Sequence, residues 1–308
     1  MFIRRSHNRV IGLVVLACVL VVLTASRVGA QKTKSVDGLE SKIHALVAAS
    51  GAETVAVAFK DLQTGRELSI NPTQNFHAAS TMKVPVMLEV FREVREGRLS
   101  LDERLPVKNE FKSIADGSTF SVSPDDDSEF TLYKKVGGTE TVRELLRLMI
   151  TESSNLATNI IIERVTPQRV MDLMLRMGAR DIRVLRGVED GKAFARGLNN
   201  TTTARDLLVL LRAIAEGRVV SREASKEMTD ILLGQKFNEG IPAGLPAGTR
   251  VAHKTGSITK IEHDAGIVFL PGRKPYVLVV LVRGIADEKR AHQLVADISR
   301  AVYEDVTR

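Results

Sequence analysis

Ser80 and Lys83 stand three residues apart at the head of an apolar run, in FHAASTMKVPVM over residues 76–87. On a helix this spacing puts both side chains on one face. A serine hydroxyl is a weak nucleophile and needs a base to take its proton. A lysine amine can be that base once burial or nearby cations lower its pKa. The pair alone is a common pattern, and Ser257 with Lys260 repeats it. Two further clusters give it context. Ser153-Ser154-Asn155 lies between two apolar helical segments in MITESSNLATN. Serines there can cap a helix; equally, Ser153 can relay a proton and Asn155 can donate to an amide. His253-Lys254-Thr255-Gly256-Ser257 falls in a strand pattern. A glycine inside a strand marks a bulge or a close approach of ligand or backbone. Lys254 could be an edge-strand lysine before such a bulge, or could hold an anion whose carboxylate Thr255 and Ser257 bind.

Elements able to position these residues are legible from periodicity. LESKIHALVAAS has helical spacing, and TVAVAFKDLQTGRELSI reads as two strands joined at QTGR. STMKVPVMLEVFREVREG is a long helix whose early Pro85 is tolerable if Ser80 lies near the N-cap. Residues 108–130 read as a loop, with the aspartate run around Pro124 a solvated excursion without EF-hand spacing. TVRELLRLMIT, NLATNIIIERV, PQRVMDLMLRMG, TARDLLVLLRAIAEG and SREASKEMTDILLG carry apolar residues at helical spacing, and several end at glycine. ARDIRVLRGVEDGKAFARGLNN is non-periodic. TRVAHKTGSI, HDAGIVFL and KPYVLVVLVRG read as three strands, and EKRAHQLVADISRAVYEDV as a closing helix. The expected class is α/β in the α+β sense: one antiparallel sheet built from both chain ends, flanked by terminal helices, with an all-helical lobe inserted. The sheet lobe takes residues 36–76 and 249–308, the helical lobe residues 77–248 of a single catalytic domain over 31–308.

In the order S-x-x-K, S-x-N and K-T-G, on an early helix, a mid-lobe turn and a late strand, the three clusters make the chain resemble the serine β-lactamase and penicillin-binding protein superfamily, and most of all the class A β-lactamases. The resemblance spans about the whole mature chain. It implies that Ser80 is acylated by a β-lactam or acyl-D-Ala-D-Ala carbonyl, with Lys83 as proton acceptor or relay. Ser153 would pass the proton to the leaving nitrogen, and Asn155 would contact the substrate side-chain amide. Lys254 would support Ser153 and attract the substrate carboxylate, which Thr255 and Ser257 bind beside Gly256. The backbone N–H groups of Ser80 and Ser257 would form the oxyanion hole, each such donor contributing about 3–4 kcal/mol in the transition state. The family carries Asp at the middle of the second motif, where this chain has Ser154, so local rewiring is expected. It also carries a deacylating glutamate on an Ω-loop followed by Leu-Asn. In RGVEDGKAFARGLNNTTTARD, Glu189 is the candidate beside Arg186; Leu198-Asn199 follows late, and the loop is shortened. His253 and His263 are further titratable groups nearby.

The chain has 308 residues, 44% hydrophobic and 26% charged, enough for a sizeable core. A charge of +7 and a pI near 9.6 come largely from scattered arginines with few aromatics between them. That composition, without a nucleic-acid motif, points to solvated helix faces or affinity for anionic envelope polymers, not to nucleic-acid binding. MFIRRSHNR, an apolar run and SRVGA form a secretory signal over residues 1–30 with a cut before Gln31; an uncleaved anchor over residues 10–25 is the alternative. The protein is expected to be exported, periplasmic or secreted. Cys18, the only cysteine, lies in this segment, so neither a disulfide framework nor a thiolate metal site is expected. Without H-E-x-x-H, no metal is expected, nor an organic cofactor. A monomer is expected. Three readings follow: a β-lactamase hydrolysing through Ser80 with Glu189 as base; a penicillin-binding D,D-peptidase or another acyl-serine hydrolase of the same fold; and a non-hydrolytic binding or sensor protein of that fold, which stays acylated by β-lactams or binds them without acylation.

Overall fold

The computed structural model describes residues 38–308. The expected signal or anchor segment and Cys18 lie outside the described residues. Among the described residues, no helix is long and apolar enough to cross a membrane.

A five-stranded antiparallel sheet joins the two ends of the described chain. It contains β1 (Thr54–Asp61), β2 (Glu67–Ile70), β3 (Arg250–Ile258), β4 (Ile261–Phe269) and β5 (Tyr276–Arg283) in the order β2-β1-β5-β4-β3. Early β1 pairs with late β5 from Thr54↔Arg283 to Asp61↔Tyr276. Strand alternation sorts the side chains onto two buried faces. Val55, Val57 and Phe59 of β1 and Leu278, Val280 and Val282 of β5 pack with Ile43, Leu294, Val295 and Ile298. These last belong to the helix over residues 38–50 (α1) and to the closing helix Glu288–Val306, so the outer face is covered by the first and last described helices. Ala56, Ala58, Val277, Val279 and Leu281 face the other way into the larger core.

That larger core is mostly helical: α2 (Lys83–Arg95), α3 (Val142–Thr151), α4 (Asn155–Val165), α5 (Pro167–Met177), α6 (Gly191–Ala195), α7 (Ala204–Ala215) and α8 (Arg222–Leu233), with Glu288–Val306 as α9. The apolar stripe of α7, Leu207, Leu210, Leu211 and Ile214, rests on the inner sheet face, where the small side chains of Ala56 and Ala58 leave room for a helix. Gly178 ends α5 in the left-handed conformation at φ 84°, the usual role of glycine there. The segment that lacked periodicity holds α6, too short to show a helical period and set by its N-cap, Asp190, which accepts from the Ala193 N–H at 3.0 Å.

Candidate active site

Ser80 lies in a 3-10 turn, Ala79–Met82, directly before α2, whose N-cap is Met82. In a 3-10 turn residues i and i+3 eclipse, so Ser80 and Lys83 project to the same side. Ala79 is held at φ 44°, a strained value for a residue with a Cβ. The strain is held by neighbours on both sides: the Ala78 N–H donates to the Asn200 carbonyl at 2.9 Å, and the Ala79 N–H to His77 Nδ1 at 3.0 Å.

Lys83 is fully buried, and its Nζ donates to three acceptors: the Ser153 carbonyl at 2.6 Å, Asn155 Oδ1 at 2.9 Å and Ser153 Oγ at 3.2 Å. Burial pushes this amine down to about 7, against the opposing pull of the Asp127 and Glu189 carboxylates. Lys254 is equally buried; its Nζ donates to the same Ser153 Oγ at 3.1 Å and to the Thr255 carbonyl at 3.0 Å. Desolvation, then the nearby Lys83 charge, holds Lys254 well below the ordinary lysine range. The Ser153 hydroxyl thus sits between two amines that both give up protons readily, and its rotor can donate to either. Ser153 itself adopts φ 58°, turning its carbonyl and hydroxyl both onto Lys83.

Ser154, where the family has aspartate, is the N-cap of α4, and its Oγ accepts from the Ala157 N–H. The capping reading of this tripeptide is therefore met by Ser154, leaving Ser153 and Asn155 to the site. The missing carboxylate is supplied from elsewhere. Asp127 is buried, not solvated as the aspartate run suggested, and its Oδ2 accepts from the Asn155 and Leu156 N–H groups at 2.9 Å each and from the Tyr133 hydroxyl at 2.9 Å. Asp125 and Asp126 of that run are exposed. A carboxylate on the first amides of a helix is favourable for both charge and hydrogen bonding. Asp127→Ala should strand these amides, cost about 2 kcal/mol and lower Tm by roughly 5 °C; an unchanged melting curve would remove Asp127 from this role.

Glu189 faces the same site from the loop before α6. Its Oε1 accepts from Asn155 Nδ2 at 2.6 Å and its Oε2 from the Ser123 N–H at 3.2 Å. Asn155 is the link, since its other amide atom, Oδ1, accepts from Lys83. Burial raises the Glu189 pKa, with Asp127 and Asp126 adding to the rise and the two hydrogen bonds opposing it. The loop is pinned without the Leu-Asn of the family pattern. Asn159 accepts from the Val188 N–H at 2.7 Å and donates to the Val188 carbonyl at 3.0 Å. A Cβ at Gly187 would lie 2.3 Å from Asn159 Oδ1, so this close approach requires glycine. Arg186 does not pair with Glu189; its guanidinium donates to the carbonyls of Leu198 and Gly187 and to Asn199 Oδ1. The late Leu198-Asn199 thus anchors the loop base through Arg186.

Edge strand β3 passes against the Ser80 turn. A Cβ at Gly256 would lie 3.1 Å from the Ser80 nitrogen and 3.0 Å from that of Thr81, so the glycine serves the approach of another backbone. Ser80, Ser153, Asn155, Thr255 and Ser257 line one cavity of about 520 Å³. Ser80, Asn155 and Ser257 also border a second of about 420 Å³, which contains Glu189. Ser80 sits where the two meet. His253 and His263 are buried beside this surface, His263 in the wall of the larger cavity. His253 and Asp264 share a hydrogen bond of 2.9 Å, both buried. His263 is buried against the His77 carbonyl at 3.0 Å, and burial pushes it down to about 4, so it stays neutral. Among the described residues, Glu262, Glu288 and His292 bring three donor atoms within 4.8 Å of one another at the far end of the larger cavity, where a cation could be held.

The beta-lactamase enzyme family matches residues 38–306. The chain is similar to the extended-spectrum beta-lactamase PER-1 of Pseudomonas aeruginosa, 25% identical over 279 residues, covering 86% of this chain and 86% of that one. A beta-lactamase of Bacteroides uniformis is 28% identical over 290 residues, covering 89% of this chain and 93% of that one. Among solved structures, PBP-A is 31% identical with a TM-score of 0.76, over 88% of this chain and 96% of that chain. A mutant of PBP-A has been solved as an acyl-enzyme complex with penicillin G.

Proposed function

The chain belongs to the beta-lactamase enzyme family, and from that premise we propose that it hydrolyses the β-lactam amide through an acyl-enzyme on Ser80. Ser80 Oγ attacks the lactam carbonyl while its proton passes to Lys83 Nζ. The carbonyl–nitrogen bond then breaks, and Ser153 gives its proton to the leaving nitrogen and is reprotonated from the lysines on either side. Glu189 takes a proton from water, the resulting hydroxide attacks the ester carbonyl, and as the ester bond breaks that proton passes from Glu189 to the departing Ser80 Oγ. The substrate carboxylate lies toward Lys254, Thr255 and Ser257, and the Asn155 side chain meets the substrate amide. No step requires a metal or an organic cofactor. Export through residues 1–30 belongs to the same reading, and a mature protein starting at Gln31 by mass would support it.

The observation that carries this reading is Lys83: a fully buried amine near pKa 7, in the turn after Ser80 and hydrogen bonded to Ser153 and Asn155. A base works best when its pKa lies near the working pH. The neutral amine is the active form, so kcat/KM for benzylpenicillin should rise with pH through about 7 and level above it. Below that point it should fall roughly tenfold per pH unit. A profile still climbing toward the ordinary lysine range would show that Lys83 is not the base.

A further inference from the structure

The strand face that presents Thr255 and Ser257 to substrate also carries two acids. In the β3–β4 ladder Thr255 pairs with Asp264 and Ser257 with Glu262. Cross-strand partners have adjacent side chains on one face. Asp264 is already committed: it bonds His253 and accepts from the Ile241 N–H at 2.8 Å. Glu262 differs. It lines the 520 Å³ cavity together with its cross-strand partner Ser257, and its Oε1 lies 3.2 Å from His292 Nε2 with 5% of its side chain exposed. A substrate carboxylate that takes the Ser257 hydroxyl for itself would therefore meet a second carboxylate across it. From α9, Glu288 adds another acid to this end, while Lys289 is exposed at the rim and His292 holds Glu262. Like charges at this distance repel unless a cation stands between or beside them.

We infer that Glu262 is a specificity-determining residue, which makes the carboxylate end of the cleft favour β-lactams carrying a fixed cation next to their ring carboxylate. This rests on the proposed β-lactam hydrolysis at Ser80. A quaternary ammonium or pyridinium group on the carbon beside the carboxylate-bearing ring carbon would reach past Ser257 toward Glu262 and Glu288. It would offset the acid that the carboxylate alone must face. Substrates whose group at that position is neutral carry a net negative charge into the same place.

The test uses two cephalosporins with the same acyl side chain, one bearing a pyridinium and the other an acetoxy group at the methylene beside the carboxylate. kcat/KM is measured for both with the full chain and with Glu262→Gln, at mildly alkaline pH and with a chelator present. Burial pushes the Glu262 acid up to about 7, so it is ionised under those conditions. The two leaving groups differ in intrinsic reactivity, so the informative quantity is the change in their ratio on substitution. The pyridinium-to-acetoxy ratio should fall about tenfold in Glu262→Gln, the size of one partly screened charge pair. Raising the salt concentration should lower the ratio in the unsubstituted protein, a readout that does not depend on the variant folding. A ratio unchanged by both substitution and salt would overturn the inference. Failure to hydrolyse either compound would instead count against the proposed function.

Discussion

Ser80→Ala should form no covalent adduct with benzylpenicillin and should lose about a millionfold in kcat, the scale on which removal of a nucleophile is felt when the rest of a catalytic unit remains. The loss should be that large because, in the proposed mechanism, the lysines and Ser153 only move protons to and from the Ser80 oxygen and the leaving nitrogen. Lys83 has its donors on Ser153 and Asn155, and Ser153 lies between Lys83 and Lys254. None of these lysines is free to attack: both are buried, and both are tied to acceptors within 3.2 Å. The substitution removes one oxygen from a residue in a turn whose backbone is held by Asn200 and His77, so the melting temperature should hardly move. Labelling of Ser80→Ala at the original rate would assign the nucleophile elsewhere.

Glu189→Gln should leave acylation nearly intact and trap the acyl-enzyme, with turnover falling by about 10³-fold and the adduct persisting after the first equivalent is consumed. The two halves of the reaction separate here because Glu189 makes no direct hydrogen bond to Lys83, Ser153 or Lys254 and reaches Lys83 only through Asn155. Glutamine retains the shape of the side chain and can accept one of the two hydrogen bonds through its amide oxygen, but it cannot take a proton from water. The carboxyl of Glu189 is raised by burial, and the Asp127 and Asp126 charges raise it further. It must be ionised to act, so the acidic limb of deacylation should lie above that of a free glutamate. Turnover unchanged in Glu189→Gln would mean that another group activates water.

Much of the site was legible because its residues are close in sequence or lie on periodic elements. The spacing of Ser80 and Lys83, the Ser153–Asn155 triplet and the strand around Gly256 each carried a local signal, and α3, α4, α5, α7 and α8 follow the apolar periods in their sequences. What escaped depends on partners distant in the chain. Asp127 acts on the amides of Asn155 and Leu156, which any sequence could provide, so nothing marked it out from exposed Asp125 and Asp126. Asn159 holds the Glu189 loop through the backbone of Val188, and Gly187 is explained only once that contact is known. The same holds for Glu262, whose importance comes from the β3–β4 register that sets it opposite Ser257. The shortened loop after Glu189 looked like a missing part. Its work is shared between Asn155, which holds the carboxylate, and Asn159, which holds the backbone.

Intact-mass spectrometry of the mature protein mixed with benzylpenicillin, followed from seconds to hours, bears on all of this at once. The expected result is a brief or vanishing adduct of one penicillin per chain while the drug is converted to penicilloate, with the adduct mapping to the peptide that contains Ser80. No adduct and intact drug would contradict acylation at Ser80. An adduct that lasts for hours would contradict hydrolysis assisted by Glu189 and return the protein to the peptidase or sensor reading.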